Sequence, residues 1–440
     1  MNQFFCLLLL VATAICSSAS ACDSSNDLEI GTESTALLSI RSFKTQLSLT
    51  KATPVILNDG TLVASFGGCG DLYFMRPDGA APILQRLKSD TRDLVPLENG
   101  TVAVSQNNGY FAGAELLVFD AFGSKRMERS FDYISDFIAA GAETVAVSAT
   151  HTNGRKGVAF INGRGAVKWF HPPVSDAYSY PLLKTRRGHI AFATDESRSL
   201  YIVSTGAEEI GHYDLAKDSL GRQGRFHWSV ALPDGGVAVA ADFSSDDSDR
   251  FLPHAYYMYF FSAEGKLSRV FELETDIGWI QPIALEDGTV VIGSETGSVY
   301  FLRPSDGRKT VFQASDRISE APAVTKDGQV VVSSWDGNIY FLSPPDERGQ
   351  VKANFIYPSG RNFLQPAKVF ANGLIGFVRP GDRGPILFLD QSANLVDQWR
   401  GAGEFEFGYT ALFEGPGGTV AWASPRNVYI GKWNLVAGRR

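Results

Sequence analysis

The sequence predicts an all-β fold, a single β-propeller of four-stranded antiparallel blades, and three observations lead to this prediction. A unit of four apolar runs recurs along the chain at a nearly constant interval. The runs are short, rich in Val, Ile and aromatic residues, and separated by Gly, Asp and Asn turns. No long amphipathic helical pattern interrupts the series. Such units, repeated every 40–45 residues or so, are typical of thin sheets packed face to face around an axis.

The repeated unit is clearest in two stretches, "EDGTVVIGSETGSVYFLRPSDG" from Glu286 and "KDGQVVVSSWDGNIYFLSPPDE" from Lys326. Each has a first strand that ends at an Asp-Gly turn, a Val-rich second strand, a third strand with a central aromatic residue and a more polar fourth strand. The turn residues supply the positive φ angles that tight hairpins require. The first three strands lack polar alternation, which indicates that both of their faces are buried.

Nine copies of the unit can be traced, and their second strands begin at intervals of 40 to 53 residues. These starting residues are Thr61, Thr101, Thr144, His189, Gly236, Thr289, Gln329, Leu374 and Thr419. The count predicts nine blades. Eight blades are the alternative, because the longest interval, after Gly236, has room for an insertion.

The two ends of the repeat region predict how the ring closes. The last unit supplies three strands and little beyond "VYIGKWNLVAGRR". The segment "ALLSIRSFKTQL" from Ala36 resembles a fourth strand without the three that should precede it. We therefore expect it to pair with Val428 to Trp433, so that residues 36–440 form one propeller closed by an N-terminal strand.

The N-terminus predicts export. Phe4 to Ile15 form an apolar core that is too short to span a bilayer comfortably, and Ala19-Ser20-Ala21 form an A-x-A cleavage pattern. Residues 1–21 are therefore predicted to be a signal peptide, and residues 22–35 a flexible linker or tether. The mature protein is expected outside the cytosol.

Cleavage after residue 21 would make Cys22 the first mature residue, and two alternatives follow. The arrangement resembles the bacterial lipoprotein pattern, in which this cysteine is the lipid anchor and places the protein in the periplasm or on the outer-membrane surface. Alternatively, Cys22 pairs with Cys69 in a freely secreted protein. The two alternatives exclude each other. Two of the four cysteines lie in the signal peptide, so the chain has neither a disulfide framework nor a C-x-x-C site.

Charge and motifs argue against several function classes. The net charge of -8 disfavours nucleic acid as a partner. The sequence contains no G-x-S-x-G, Walker, H-E-x-x-H or G-x-G-x-x-G motif, and its six histidines lack metal-ligand spacing. No cofactor is therefore expected, and no catalytic residue is assigned.

One acidic stretch, "DFSSDDSDRF", provides weak candidates for a Ca²⁺ site in Asp242, Asp246 and Asp249. The Gly and the terminal Glu of a typical Ca²⁺ loop are missing, and a solvated hairpin tip is the alternative. Tyr256 and Tyr257 follow it and could contact a partner at the rim, since Tyr is enriched at interfaces, although packing of at least one within the blade is expected.

The repeat resembles the quinoprotein-type, or PQQ-like, repeat, in the stretches quoted from Glu286 and Lys326 and more loosely in the other copies. The resemblance covers the chain from about Ala36 to Trp433. Within that family, an exported single propeller looks most like the propeller lipoproteins of the outer-membrane β-barrel assembly machine. Quinone-dependent members of the family have a vicinal cysteine pair, which this sequence lacks. The resemblance thus implies a propeller without a quinone site.

Together these observations predict an exported, non-catalytic, monomeric propeller that serves as a protein-interaction scaffold in the cell envelope. Its expected partner is another envelope protein, and it would touch a membrane only through a lipid anchor. One alternative is an enzyme or cofactor-binding propeller with a composite site at the axis. Another is a carbohydrate or cell-wall binder that uses exposed aromatic residues.

Overall fold

The structure is a computed structural model, and the part of the chain that it describes forms 37 β-strands in nine sheets. The described residues are 29–35, 38–44, 53–66, 70–107, 113–151, 153–172, 181–194, 198–215, 223–244, 255–278, 280–318, 320–360, 366–378, 386–400, 412–424 and 427–434. Within these ranges, no helix is long and apolar enough to cross a bilayer.

The first five blades follow one another along the chain, each with four antiparallel strands paired in chain order. Blade 1 contains β3 (Val55–Ile56), β4 (Leu62–Phe66), β5 (Asp71–Met75) and β6 (Ile83–Arg86). Blade 2 contains β7 (Thr91–Pro96), β8 (Val102–Asn107), β9 (Ala114–Phe119) and β10 (Lys125–Phe131). Blade 3 contains β11 (Tyr133–Ala139), β12 (Val145–Thr150), β13 (Lys156–Ile161) and β14 (Val167–Phe170). Blade 4 contains β15 (Leu183–Lys184), β16 (Ile190–Ala193), β17 (Ser199–Val203) and β18 (Glu209–Asp214). Blade 5 contains β19 (Gln223–Ala231), β20 (Val237–Ser244), β21 (Ala255–Phe261) and β22 (Leu267–Leu273).

The remaining blades complete a ring of nine, which confirms the predicted count and shows that the alternative of eight is wrong. Blade 6 contains β23 (Ile283–Ala284), β24 (Val290–Gly293), β25 (Ser298–Arg303) and β26 (Arg308–Gln313). Blade 7 contains β27 (Ala323–Val324), β28 (Val330–Ser333), β29 (Asn338–Leu342) and β30 (Ala353–Pro358). Blade 8 contains β31 (Lys368–Val369), β32 (Ile375–Val378), β33 (Ile386–Leu389) and β34 (Leu395–Trp399). Blade 9 contains β35 (Leu412–Gly415), a 3-10 turn (Pro416–Gly418), β36 (Thr419–Ser424), β37 (Asn427–Trp433), β2 (Leu38–Lys44) and β1 (Glu29–Ser34).

Blade 9 joins the two ends of the repeat region, as the sequence predicts. Strand β2 pairs antiparallel with β37, in a register that runs from Leu38 opposite Trp433 to Lys44 opposite Asn427. Residues 22–35 are predicted to form a tether, but Glu29–Ser34 pair outside β2 as a fifth strand, β1. The N-terminal segment therefore supplies the two outermost strands of the closing blade.

Among the described residues, the hydrophobic core forms nine clusters, one between each pair of neighbouring blades. The cluster between blades 9 and 1 contains Phe43, Phe66, Tyr73 and Ala421. Because a single thin sheet leaves both of its faces exposed, each blade depends on its two neighbours for burial. The ring is thus closed by packing as well as by strand pairing.

An aromatic residue recurs at one register position of the outer strand in seven blades. In each case it lies opposite an equivalent apolar residue of the third strand and packs toward the next blade. These residues are Phe43, Phe170, Tyr213, Phe271, Phe312, Tyr357 and Trp399. Phe43 thus identifies β2 as a fourth strand by its side chain as well as by its pairing.

The two faces of the ring differ. One, which we call the turn face, carries the turns between first and second strands and those between third and fourth strands. Most of these turns have four or five residues and internal hydrogen bonds, and the longer exceptions are 76–82 in blade 1 and 343–352 in blade 7. In blade 1 the Leu57 N–H donates to the Thr61 carbonyl at 2.8 Å, and Gly60, with a φ of 86°, donates to the Leu57 carbonyl at 2.9 Å. Ion pairs also join turns two blades apart, as between Arg186 and Glu286 at 2.8 Å.

The opposite face, which we call the loop face, carries the connections between second and third strands and those between successive blades. The strand ends at this face border most of the longer segments between strands, 45–54, 171–182, 215–222, 245–254, 379–385 and 400–411, and most residues of these segments lie outside the described ranges. Insertions relative to the shortest repeat are therefore concentrated at one end of the ring axis.

Candidate functional site

Polar side chains gather at the loop-face ends of the innermost strands, where three strands contain β-bulges at equivalent positions of the repeat. The pairing register shifts at Arg92 in β7, at Ser135 in β11 and at His227 and Trp228 in β19. A bulge bends its strand and redirects the extra side chain, and bulges are frequent beside functional sites. We call this region, together with the residues that contact it, the axial site.

In blades 2 and 3 the axial site contains an arginine that links the two sheets. Arg92 donates to the Tyr133 hydroxyl at 3.1 Å and to the Ile134 carbonyl at 3.0 Å. Its guanidinium carbon also lies 5.5 Å from the centre of the Tyr133 ring. Next to it, the Ser135 hydroxyl donates to the Ser148 carbonyl at 3.1 Å.

Two carboxylates, Asp93 and Asp136, occupy equivalent positions immediately after the bulges of blades 2 and 3. Solvent reaches Asp93, but surrounding protein desolvates it and raises its pKa to about 6, against the opposing charge of Arg92. Burial also raises the pKa of Asp136, while hydrogen bonds from backbone N–H groups lower it. One of these donors is Leu182 of the next blade, at 2.6 Å. These carboxylates therefore hold protons at higher pH than ordinary surface carboxylates.

In blade 5 the bulge directs His227 toward Asp242, with 2.8 Å between Nε2 and Oδ1. Both side chains are about four-fifths buried, with 19% and 20% exposed. Tyr256 lies opposite Asp242 on the neighbouring strand. Burial, followed by the charge of Asp276 and a hydrogen bond to it, raises the pKa of Tyr256, so this hydroxyl remains protonated. The result is a carboxylate that contacts an imidazole, with a neutral phenol opposite it on the neighbouring strand.

A fourth polar group, Glu320, precedes β27 at the repeat position that Arg92, Ser135 and His227 occupy in their own blades. Its side chain is half-buried, and desolvation raises its pKa to about 7. The axial site therefore has titratable groups on blades on both sides of the ring.

The predicted metal site is only partly described. Asp242 contacts His227, whereas Asp246 and Asp249 lie outside the described residues. In the ranges that the structure describes, no group of three or more His, Cys, Asp or Glu side chains could hold a metal ion. Cys22, Cys69 and the signal peptide also lie outside these ranges, so the lipid anchor and the disulfide remain predictions.

The two tyrosines proposed as rim contacts have different environments. Tyr257 packs within the blade, with its ring 5.3 Å from that of Phe243, while Tyr256 belongs to the axial site. A third aromatic residue on the loop face, Trp335, is half-buried, and the guanidinium carbon of Arg317 lies 3.1 Å from its ring centre. The cation covers at least part of the surface that a sugar ring would use.

His227 was missed by sequence reasoning, although one signal could have found it. Counting back eight residues from the last residue of the first hairpin turn gives one fixed position of the repeat. This position holds Arg92, Ser135 and His227 in the three bulged blades, and Glu320 in blade 7. A polar residue that recurs at one position of the innermost strand indicates that this position faces the axis.

Comparison with known proteins shows the fold and nothing finer. No protein-family model and no curated protein matches the sequence. Solved structures that resemble it include Sqt1 from Saccharomyces cerevisiae, with 13% identity, coverage of 89% of this chain and 98% of that one, and a TM-score of 0.50. The Dos1 propeller has 15% identity, coverage of 78% and 92%, and a TM-score of 0.50. BamB from Moraxella catarrhalis has 14% identity, coverage of 85% and 100%, and a TM-score of 0.48. At these identities the chain shares the β-propeller fold, and the quinoprotein-type repeat remains a resemblance.

Proposed function

We propose that this protein is an exported, non-catalytic propeller that binds another protein of the cell envelope through its loop face. The observation that supports the proposal is the difference between the two faces. Most turns on the turn face have four or five residues and internal hydrogen bonds, whereas the loop face holds the polar axial site and the strand ends that most of the longer segments of chain connect. Binding residues are commonly found on loops that a rigid scaffold positions.

The cellular address in this proposal rests on the sequence. The signal peptide takes the chain out of the cytosol, and Cys22 either carries a lipid or begins a freely secreted protein. Radiolabelled palmitate should be incorporated by the wild type and not by Cys22→Ser if the protein is a lipoprotein. An unlabelled wild type would indicate secretion without an anchor.

The binding face can be tested by affinity purification from envelope extract with matched surface variants. Thr296→Arg and Ser315→Arg alter exposed loop-face positions, whereas Glu347→Arg and Ser392→Arg alter exposed turn-face positions. A bulky cation inside an interface is expected to cost about 2 kcal/mol or more, so loop-face variants should recover at least ten-fold less partner. The turn-face variants should recover as much as the wild type.

Two results would contradict the proposal. Failure of the wild type to retain any stable partner would argue against a scaffold. Equal loss of the partner in loop-face and turn-face variants would argue against the loop face as the binding surface. Circular dichroism of each variant would show that the blades remain folded.

A second candidate function, an enzyme with a composite site at the axis, is favoured by the contact between His227 and Asp242. A carboxylate beside an imidazole fixes the orientation of the ring, as a general base requires. If the protein is such an enzyme, envelope metabolites that the wild type consumes should remain unconsumed when His227→Ala is added in its place. They should still be consumed with His212→Ala, which alters a half-exposed histidine on β18. Equal metabolite profiles with the wild type and with no protein would support the scaffold.

A further inference from the structure

A groove of about 440 Å³ lies near the turn face between blades 9 and 1, at the place where the ring closes. In the other eight blades a turn connects the third strand to the fourth. In blade 9 these strands, β37 and β2, come from opposite ends of the chain, so no such turn exists. The groove is bounded by β1, β2 and β37 on one side, and by the first turn of blade 1 and Pro77 on the other.

The repeat provides an internal comparison, because a smaller groove of about 220 Å³ occupies the equivalent place between blades 2 and 3. In the smaller groove, Met127 occupies the strand position that Arg41 occupies at the closure. Met127 lies opposite Val118, and Arg41 lies opposite the equivalent residue, Ile430. The one arginine of the smaller groove, Arg126, is paired with Asp120 at 2.6 Å. The groove at the closure is therefore larger and differs in charge.

Two cationic side chains, Arg41 and Lys432, lie on the β2 and β37 side of the closure groove. Among the side chains that the structure describes, no carboxylate forms an ion pair with either of them. The Arg41 guanidinium carbon lies 5.4 Å from the centre of the Phe43 ring, which holds the side chain beside the groove. The lining carboxylate, Asp59, is engaged by Thr61, whose N–H and hydroxyl donate to it at 2.9 and 3.0 Å.

The rest of the lining combines hydroxyl groups with apolar surface. Thr32 and Ser34 of β1 are exposed, and Thr32 lies directly opposite Arg41 in the strand register. The apolar part comes from Ile40, Pro77, Pro416 and Ile430. A ligand that fits this lining has one negative group and a short apolar body.

We propose that the closure groove binds a carboxylate attached to a short apolar body, with its charged group between Arg41 and Lys432. A planar guanidinium suits a carboxylate because the two can form parallel hydrogen bonds. A free aliphatic acid and the last residue of an apolar peptide share this chemistry. The outermost strand, β1, completes the site by placing hydroxyl groups opposite the cations.

Isothermal titration of the full mature chain with octanoate, N-acetyl-leucine and inorganic phosphate tests the proposal. At least one of the two carboxylates should bind, and phosphate should bind more weakly. Lys432→Gln and Arg41→Gln should each weaken carboxylate binding about ten-fold, as expected when a hydrogen bond to a charged group is lost. Arg126→Gln, in the smaller groove, should leave the affinity unchanged. Binding of octanoate alone would indicate a free acid, and binding of N-acetyl-leucine alone would indicate a peptide terminus.

A further variant keeps the test independent of folding. Thr32→Glu places a carboxylate opposite Arg41 on an exposed strand. The new carboxylate should form an ion pair with Arg41 and abolish ligand binding without lowering the melting temperature. Unchanged binding in Thr32→Glu, absence of heat with both carboxylates, or preference for phosphate would each overturn the proposal.

Discussion

Replacing Phe43 with Ala should lower the free energy of unfolding by about 3–5 kcal/mol, the range for removal of a fully buried aromatic side chain. Phe43 is 1% exposed and lies in the cluster between blades 9 and 1, so its loss leaves a cavity at the interface that closes the ring. Chemical denaturation monitored by tryptophan fluorescence would measure the effect. Deletion of residues 23–45 should lower stability further, because it removes two paired strands.

Phe122→Ala is the matched control for the Phe43 variant. Phe122 is 61% exposed in the outer turn of blade 2, and its replacement should change stability by less than about 1 kcal/mol. If Phe43→Ala were no more destabilising than Phe122→Ala, or if the deletion left thermal stability unchanged, β2 would not be the strand that closes the ring.

Replacing Glu320 with Gln should stabilise the protein above neutral pH by about 1–3 kcal/mol and have little effect near pH 4. Desolvation raises the pKa of Glu320 from 4.5 to about 7 in the folded chain. Between these values the unfolded chain has released the proton while the folded chain still holds it, so wild-type stability falls as pH rises. Glutamine is neutral at every pH, and the difference between the two proteins should therefore grow from pH 4.5 to 7 and then level off.

The control for this prediction is Glu347→Gln, which changes an exposed carboxylate on the turn face. Its effect should remain within about 0.5 kcal/mol of the wild type throughout the titration. A constant difference between Glu320→Gln and the wild type from pH 4 to 8 would show that Glu320 does not titrate in the predicted range.

The ring of blades was predictable from sequence because the residue patterns that form each blade are local and recur in every copy of the unit. Each hairpin turn has its Gly or Asn, and each second and third strand is apolar on both faces, so nine copies could be counted directly. The closing strand was predictable because "ALLSIRSFKTQL" has the apolar content of a strand and no partner of its own. Strand β1, "EIGTES", has no such run, and only the exposed edge of β2 gives it a partner.

The axial site was much less predictable, because its residues are far apart in the chain. Asp242 was singled out for its acidic neighbours, yet its described contact is His227, and the bulge that brings the two side chains together is a feature of the strand pairing. The raised pKa values of Asp93 and Glu320 come from desolvation by surrounding protein, which only the assembled ring provides. The sequence showed which side chains are titratable, but it did not show which of them lie close together in the folded ring.

The pairing of β2 with β37 has a consequence for biosynthesis. Thr35 and Asn434, which are joined by a hydrogen bond, are separated by 399 positions. Strand β2 is therefore synthesised long before β37, the strand with which it pairs. During that interval β2 exposes a hydrogen-bonding edge and Phe43, and such edges promote association between chains. Pairing of β2 with β37, which closes the ring, should therefore be the slow final step of folding. A chaperone that shields β1 and β2 should raise the yield of native protein.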